Sequence, residues 1–381
     1  MNTILLVHHS KFDPILNISI AGLLYTERIR HEALKAGFKE VLFISQDAVH
    51  KQKLHDLALS ISDPCWVLLK AGYLPTISYL KGLCASHQDT GQFVDTNTNA
   101  IILYRSENPK NWLSELLLYP DSEKLFNGLQ NKFPTQSISI HQGQIYELHS
   151  PGQVKEAEDF LFKALIKSTE GFMSRHVERK ISIAVSKHLV NSSITPNQMT
   201  VFSIFIGLLG AFLITLNQGT WQIAGALFFL AHSILDGCDG EIARIKFLES
   251  KFGGVLDYWG DNIVHIAIFS AIAIEWYHRI NNSLPLLFGA SAVCATLASA
   301  SWIYWHTMRK KSIHGPLFTS VSQSNKSDKL TQVADFLSRR DFIYLIVVLA
   351  CIQHLNWFLI LSAFGTPIYF AVLLWIHYQT K

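Results

Sequence analysis

Four aspartates, Asp236, Asp239, Asp257 and Asp261, lie in one stretch, "DGCDGEIARIKFLESKFGGVLDYWGD", directly after one of the most apolar parts of the chain. Asp236 and Asp239 are three apart, Asp257 and Asp261 four apart, and either spacing puts two carboxylates on one face of a helix. Two such helix ends aimed at one point bring four like charges together. Hard divalent cations relieve that repulsion, because Mg²⁺ or Mn²⁺ takes oxygen ligands and keeps positions for water and phosphate. Two ions bridged by a pyrophosphate stabilise the charge that develops on a leaving phosphate. Gly240, Ala243 and Gly253 remove side-chain bulk where a ligand or a neighbouring helix comes close. Arg244 offers a guanidinium fork for a phosphate.

Spacing alone leaves other uses open. Acidic residues at helix ends can be solvated in a loop, a reading that suits Glu241 and Glu249. Apolar neighbours weaken it for Asp236 and Asp257. Intramembrane carboxylates can also bind a transported ion or relay protons. A third reading makes Asp236 structural, as a cap or a partner of Arg244. His232 stands four before Asp236 and His265 four after Asp261, so both can face the same point. A packed or interfacial histidine is the commoner outcome on such helices.

The elements that must position these residues follow from the distribution of charge. The chain has 381 residues, 49% hydrophobic and only 16% charged, against about a quarter charged in soluble domains. A formal net charge of +3, without a long basic run, excludes a nucleic-acid binder. Cys65, Cys84, Cys238, Cys294 and Cys351 show no CxxC spacing, which excludes a disulfide framework or a thiolate zinc site. The start, "MNTILLVHHSKFDP", has too short an apolar stretch and no basic lead for a secretory signal.

Residues 1–165 mix charged and apolar positions in short segments, as a soluble α/β domain does. "TILLVHH" reads as a buried strand, "SIAGLLYTERIRHEALKAGF" as an amphipathic helix ending at Gly37, and "EVLFIS" as the next strand, a βαβ-like start. Further strands are predicted at "CWVLLKAG", "AIILYR" and "SISIHQGQIYEL". Residues 166–192 form a segment in which Glu170 to Val190 has a basic and an apolar face at helical spacing. It predicts an interfacial amphipathic helix on the membrane, with a soluble linker helix as the alternative.

Residues 193–381 read as a membrane domain. Gln198 to Leu235 contains no Asp, Glu, Lys or Arg and is broken by Asn217-Gln218-Gly219. Further uncharged runs span Asn262 to Ile274, Asn281 to Met308 and Phe342 to Thr380. Six membrane helices are predicted, at 198–217, 220–237, 254–277, 284–308, 341–354 and 356–377. Basic residues collect between the second and third (Arg244, Lys246, Lys251) and between the fourth and fifth (Arg309, Lys310, Lys311, Lys326, Lys329, Arg339, Arg340). The positive-inside rule makes that side, the N-terminal domain and the aspartates cytoplasmic. Small residues in "GASAVCATLASASW" suit close helix packing or dimerisation.

With these residues in view, the stretch resembles the signature of the CDP-alcohol phosphatidyltransferase family, DxxDGxxAR, eight residues, then GxxxDxxxD. Asp236, Asp239, Gly240, Ala243, Arg244, Gly253, Asp257 and Asp261 occupy its fixed positions. "ITPNQMT" resembles the family's TPNxxT start of the first membrane helix. The resemblance covers about residues 165–381, and the family's six-helix membrane domain agrees with the span count. It implies transfer of a substituted phosphate from a CDP-alcohol, such as CDP-diacylglycerol or a CDP-polyol, to an acceptor alcohol with release of CMP, in phospholipid or polyol-phosphodiester synthesis. By the same resemblance, Asp236, Asp239, Asp257 and Asp261 hold two Mg²⁺ or Mn²⁺ ions, and Asp261 is also the base. Thr195, Pro196, Asp236, Gly240, Ala243, Arg244, Gly253 and Asp257 line the donor pocket, and the enzyme is a homodimer in contact with membrane lipid. Arg309, Lys310 and Lys311 could bind a phosphorylated acceptor, or simply touch lipid headgroups.

The domain order also resembles bifunctional enzymes that make CDP-inositol and then di-myo-inositol phosphate phosphate, with a sugar-nucleotidyltransferase domain first. "ISIAGLLYTERIRHEALKAGFKEVLFIS" resembles the unit after that domain's nucleotide loop. The glycine-rich, basic loop that cradles a triphosphate is missing, since the first strand runs into "HHSKFDPILN". At "VLLKAGYLP" Gly72 is followed by Tyr73 rather than by an aspartate. The expectation is therefore a nucleotidyltransferase-like fold without its own catalysis. Asp13, Lys11 and His8-His9 could form a residual site, with chance polar loop residues the commoner explanation. A bifunctional enzyme that makes its own CDP-alcohol, and an ion transporter using the aspartates, stay as alternatives.

Overall fold

The structure is a computed structural model that describes residues 2–10, 13–45, 64–85, 91–96, 102–105, 115–116, 118–119, 121–140, 144–166, 177–216, 219–309 and 342–379. Lys11, Lys310, Lys311 and the connection from 310 to 341 lie outside these residues. The chain divides into two compact units, Met1–Leu165 and Ile166–Lys381.

The first unit is built on β1 (Asn2–His8), whose Ile4, Leu5, Leu6 and Val7 are all fully buried. A strand apolar on both faces belongs inside a sheet covered on two sides. Residues 19–24 form a small hairpin, β2 (Ser19–Ile20) and β3 (Leu23–Leu24), turned by Ala21 and Gly22, both with positive φ. The helix predicted from Ser19 is therefore shortened to α1 (Tyr25–Ala36), and it ends at Gly37 in the left-handed conformation (φ 105°). β4 (Glu40–Ile44) lies parallel to β1, so the βαβ start is present.

β5 (Pro64–Lys70) flanks β1 on the other side, followed by β6 (Tyr73–Pro75), α2 (Ile77–Ala85), β7 (Gly91–Asp95), β8 (Ile102–Arg105), α3 (Ser122–Lys132), β9 (Thr135–Ile138), β10 (Ile145–Glu147) and α4 (Val154–Lys163). The main sheet has the order β4-β1-β5-β8-β7-β9, with β8 antiparallel to both neighbours. The strand predicted over "SISIHQGQIYEL" is two strands in two sheets. β9 joins β7, while β10 pairs with β6.

The second unit is helical. Its described elements are α5 (Arg179–Leu189), α6 (Pro196–Ile214), α7 (Gly219–Ile245), α8 (Lys251–Ile280), α9 (Leu284–Ile303, continued to Met308 as a π turn), α10 (Phe342–Cys351) and α11 (Leu355–Gln379). Five of these, α6, α7, α8, α9 and α11, are long and apolar enough to cross a membrane, and α10 is a shorter apolar helix of 10 residues. The second span, predicted to stop at 237, continues as helix to Ile245. The hydropathy run stops at Asp236, but the backbone ladder does not, because the polar side chains beyond it find partners.

Helix contacts follow small residues. α6 meets α7 at Gly210 and Gly225, where a Cβ on Gly225 would lie 2.6 Å from the Gly210 carbonyl oxygen. A backbone oxygen cannot swing aside, so Gly225→Ala is expected to destabilise the membrane unit by about 1–3 kcal/mol. The check is the melting temperature of the detergent-purified chain, with Gly365→Ala as the control, since nothing lies within 4 Å of a Cβ there.

Candidate active site

Asp236 and Asp239 project from α7 with 4% and 6% of their surface exposed, and Asp257 projects from the first turns of α8. Each of the three offers a carboxylate oxygen within 4.8 Å of the others, a set that could hold a metal ion. The acidic pair three apart on one helix and the single acid on the next converge because residues 246–250 turn the chain sharply. Phe247 takes a positive φ of 56°, and Lys246 Nζ reaches the Ser192 carbonyl at 2.8 Å. Ser250 then caps α8, accepting from the Gly253 amide at 2.9 Å.

Gly253 is required by this packing. A Cβ there would come within 2.8 Å of Asn197 Oδ1 and 3.0 Å of Ser250 Oγ. Asn197 belongs to the start of α6, which "TPNQ" builds as a capping box. The Gln198 amide donates to Thr195 Oγ1 at 3.3 Å, Gln198 Oε1 accepts from the Thr195 amide at 3.0 Å, and Pro196 fills the first turn. One turn on, the Thr200 hydroxyl donates to Asp239. The start of α6 thus packs against α8 and bonds to an acid of α7.

Asp261 is not in the three-carboxylate group. Its Oδ1 stands 3.3 Å from His232 Nε2, and the side chain is 21% exposed. His232 is buried, and its Nδ1 donates to the Ser203 carbonyl at 2.9 Å, which fixes the ring. His265 Nδ1 bonds to the Asp261 backbone oxygen at 2.8 Å, an interaction within α8. The two histidines singled out from spacing therefore both touch Asp261, one at its carboxylate and one at its backbone.

A cavity of about 330 Å³ opens over the carboxylates, lined by Asp236, Asp239, Gly240, Arg244 and Asp257 together with residues of α5. The Arg244 guanidinium lies over Gly240, 3.0 Å from where a Cβ would be. Ala243, on the same helix, stands next to Arg244. Arg309 is exposed and stacks over Trp305, 4.4 Å from the ring centre.

One expectation is corrected here. Glu241 is not solvated, because it has no exposed surface and accepts from Arg179 Nη1 at 2.8 Å, Ser182 Oγ at 2.7 Å and Ser186 Oγ at 2.7 Å. Three donors from α5 compensate its desolvation. Glu178, which precedes α5, and Arg179 and Ser182 of α5 line the cavity and were not singled out from the sequence. The signal available was the run Arg179, Ser182, Ser186 at spacings of three and four, a polar stripe on one helix face.

In the first unit, ligands of open α/β sheets bind outside the carboxyl ends of the strands. At these ends Lys70 lies 3.7 Å from Glu123 and 3.9 Å from Glu147. Gly72 has a φ of 97°, its amide donates to Tyr25 Oη at 3.1 Å, and a Cβ would sit 2.7 Å from the Leu148 carbonyl. Asp13 caps a short 3-10 helix through the Ile15 amide, and His9 Nδ1 bonds to the Ser10 carbonyl. His8 is buried with Nδ1 2.9 Å from Ser122 Oγ.

Burial lowers the His8 pKa from 6.5 to about 4. The folded state then binds fewer protons than the unfolded chain between those values. This contribution to stability is fully present above pH 6.5 and is lost as the pH falls towards 4, about 3 kcal/mol in all. Hydrogen exchange of the β1 amides is expected to speed up across that window, and His8→Gln to flatten the dependence.

Residues 193–367 match the family model described as CDP-alcohol phosphatidyltransferase. The chain is 37% identical over 139 residues to the "Bifunctional IPC transferase and DIPP synthase" of Thermococcus kodakarensis, covering 36% of this chain and 30% of that protein. It is 38% identical over 161 residues to the protein of that name from Archaeoglobus fulgidus, 42% of this chain and 32% of that one. The matched part thus spans about a third of these relatives' own length. A solved structure of Mycobacterium tuberculosis phosphatidylinositol phosphate synthase with CDP-DAG bound aligns at 18% identity and a TM-score of 0.34, covering 50% of this chain and 90% of that one. The aspartate signature and the helices that carry it fall within the residues 193–367 that match this family model.

Proposed function

We propose that the chain is an integral membrane transferase that moves a substituted phosphate from a CDP-alcohol to an acceptor alcohol and releases CMP. The observation that carries this reading is the convergence of Asp236, Asp239 and Asp257 in one cavity with Arg244 and Gly240. Three mutually repelling carboxylates, two of them buried, fit a hard divalent cation. Asp236, Asp239 and Asp257, with Asp261, would hold two Mg²⁺ or Mn²⁺ ions, whose charge offsets that of the diphosphate as CMP departs.

The chain's own residues do the rest. Asp261 takes the proton of the acceptor hydroxyl as its oxygen attacks the β-phosphorus. His232 holds the Asp261 carboxylate on one side and is itself held by Ser203. Arg244 binds a donor phosphate, and Gly240 leaves the room for it. Thr195, Pro196, Ala243 and Gly253 complete the CDP side of the pocket, and Thr200 orients Asp239. Arg309, with Lys310 and Lys311, receives a phosphorylated acceptor.

In the same reading α10 is the core of a sixth span and α5 lies at the membrane interface. Two copies form a homodimer in the cytoplasmic membrane. The aspartates and residues 1–165 face the cytoplasm, and membrane lipid surrounds residues 193–381. In this reading the first unit lacks nucleotidyl-transfer activity of its own, because no glycine-rich basic loop follows β1 and Tyr73 stands where an aspartate would follow Gly72.

Incubating membranes that carry the chain with a CDP-alcohol, Mg²⁺ and a panel of polyol and lipid acceptors tests the proposal. Acceptor-dependent CMP release is expected. No release with any acceptor, together with substrate-free ion flux in vesicles, would favour the transport reading. Pyrophosphate release from CTP and a sugar phosphate would restore the bifunctional one.

A further inference from the structure

The reaction just described gives α5 no part, yet α5 forms a wall of the cavity. Arg179 lines it beside Asp236 and Asp239 and keeps 22% of its side chain exposed. On its inner side Nη1 is tied to Glu241, which Ser182 and Ser186 hold from the same helix. A guanidinium has five N–H donors in a rigid fork, so one anchored nitrogen orients the whole group.

The glycines of α7 place this guanidinium. A Cβ on Gly237 would lie 3.4 Å from Arg179 Nη1, and one on Gly240 would lie 3.0 Å from Arg244 Nη1. Each arginine thus lies over a position without a Cβ, and each such glycine directly follows an aspartate of the cluster, Asp236 or Asp239. The two arrangements repeat three residues apart along α7. A diphosphate presents two adjacent anionic groups, and one arginine fork serves one of them.

We propose that Arg179 is a second phosphate-binding residue, which with Arg244 clamps the diphosphate of the CDP-alcohol. Glu241, Ser182 and Ser186 are positioning residues that hold its guanidinium over Gly237. The inference rests on the donor reading above. If Arg179 only neutralised Glu241, any substitution that kept the pair satisfied would leave donor affinity unchanged.

Arg179→Ala would strand a buried carboxylate, so the test uses Arg179→Lys and the neutral pair Arg179→Gln with Glu241→Gln. Binding of CDP-glycerol and of CMP to the purified full chain with Mg²⁺ is measured by calorimetry, with melting temperature as the check on folding. Arg179→Lys is expected to weaken CDP-glycerol about tenfold and the double variant about a hundredfold, with smaller losses for CMP. Glu241→Gln is expected to raise the KM for CDP-glycerol while kcat stays within about twofold. Wild-type Kd for CDP-glycerol in both Arg179 variants would overturn the inference. Failure of the wild-type chain to bind either nucleotide would instead overturn the donor reading on which it stands.

Discussion

Asp261→Asn is expected to lower turnover by about 10²–10⁴-fold while sparing CDP-alcohol binding. The substitution is nearly isosteric, and the side chain is partly exposed, so the fold has little reason to change. The Nδ1 bond to the Ser203 carbonyl fixes the His232 ring, so its Nε2 keeps its place beside the new amide. What the variant lacks is a group that takes the acceptor's proton. Asp261 stands apart from the three clustered carboxylates, which suits a residue that works on the acceptor more than on the donor. The measurement is kcat with CDP-glycerol beside its Kd. Near-normal kcat would remove the base assignment, and a lost Kd would make Asp261 a donor ligand first.

Asp236→Asn should act differently. It removes one of three converging carboxylates at a position only 4% exposed, and so weakens the hold on a divalent ion. A bound metal supplies several kcal/mol of charge stabilisation, so turnover is expected to fall about 10²–10³-fold at ordinary Mg²⁺. Raising Mg²⁺ should recover part of it. A second readout does not depend on activity. Without metal, removing one of three repelling charges should raise the melting temperature. The further rise that Mg²⁺ gives the wild-type chain should shrink. An unchanged response to Mg²⁺ would exclude Asp236 as a ligand.

These two results separate roles that the sequence presents as one run of aspartates. Spacing was enough to pair Asp236 with Asp239 and to predict that Gly253 sits where something comes close, because helical periodicity is local. It was not enough for Glu241. An acid just past an apolar run looks solvated, and its burial depends on Arg179, Ser182 and Ser186, which stand 55 to 62 residues earlier and reach it only through packing. The same partners explain why α7 runs on to Ile245 past the point where hydropathy falls.

In the first unit the strand–helix–strand start was readable from its apolar runs and from Gly37. The hairpin at Ala21–Gly22 was not, since Ala21 carries a positive φ that its residue type does not advertise. His232 was legible only as a candidate. Its contact with Asp261 depends on how α7 packs on α8 and on a carbonyl of α6.

The most direct measurement follows the phosphorus. The purified chain is given CDP-glycerol labelled with ³²P at the β-phosphate, with Mg²⁺ and an acceptor alcohol. The proposed transfer moves the label into an acceptor phosphodiester in step with the release of unlabelled CMP, and Asp261→Asn stops both. Label released as glycerol phosphate whatever the acceptor, or label that stays in intact donor across every acceptor offered, would contradict it.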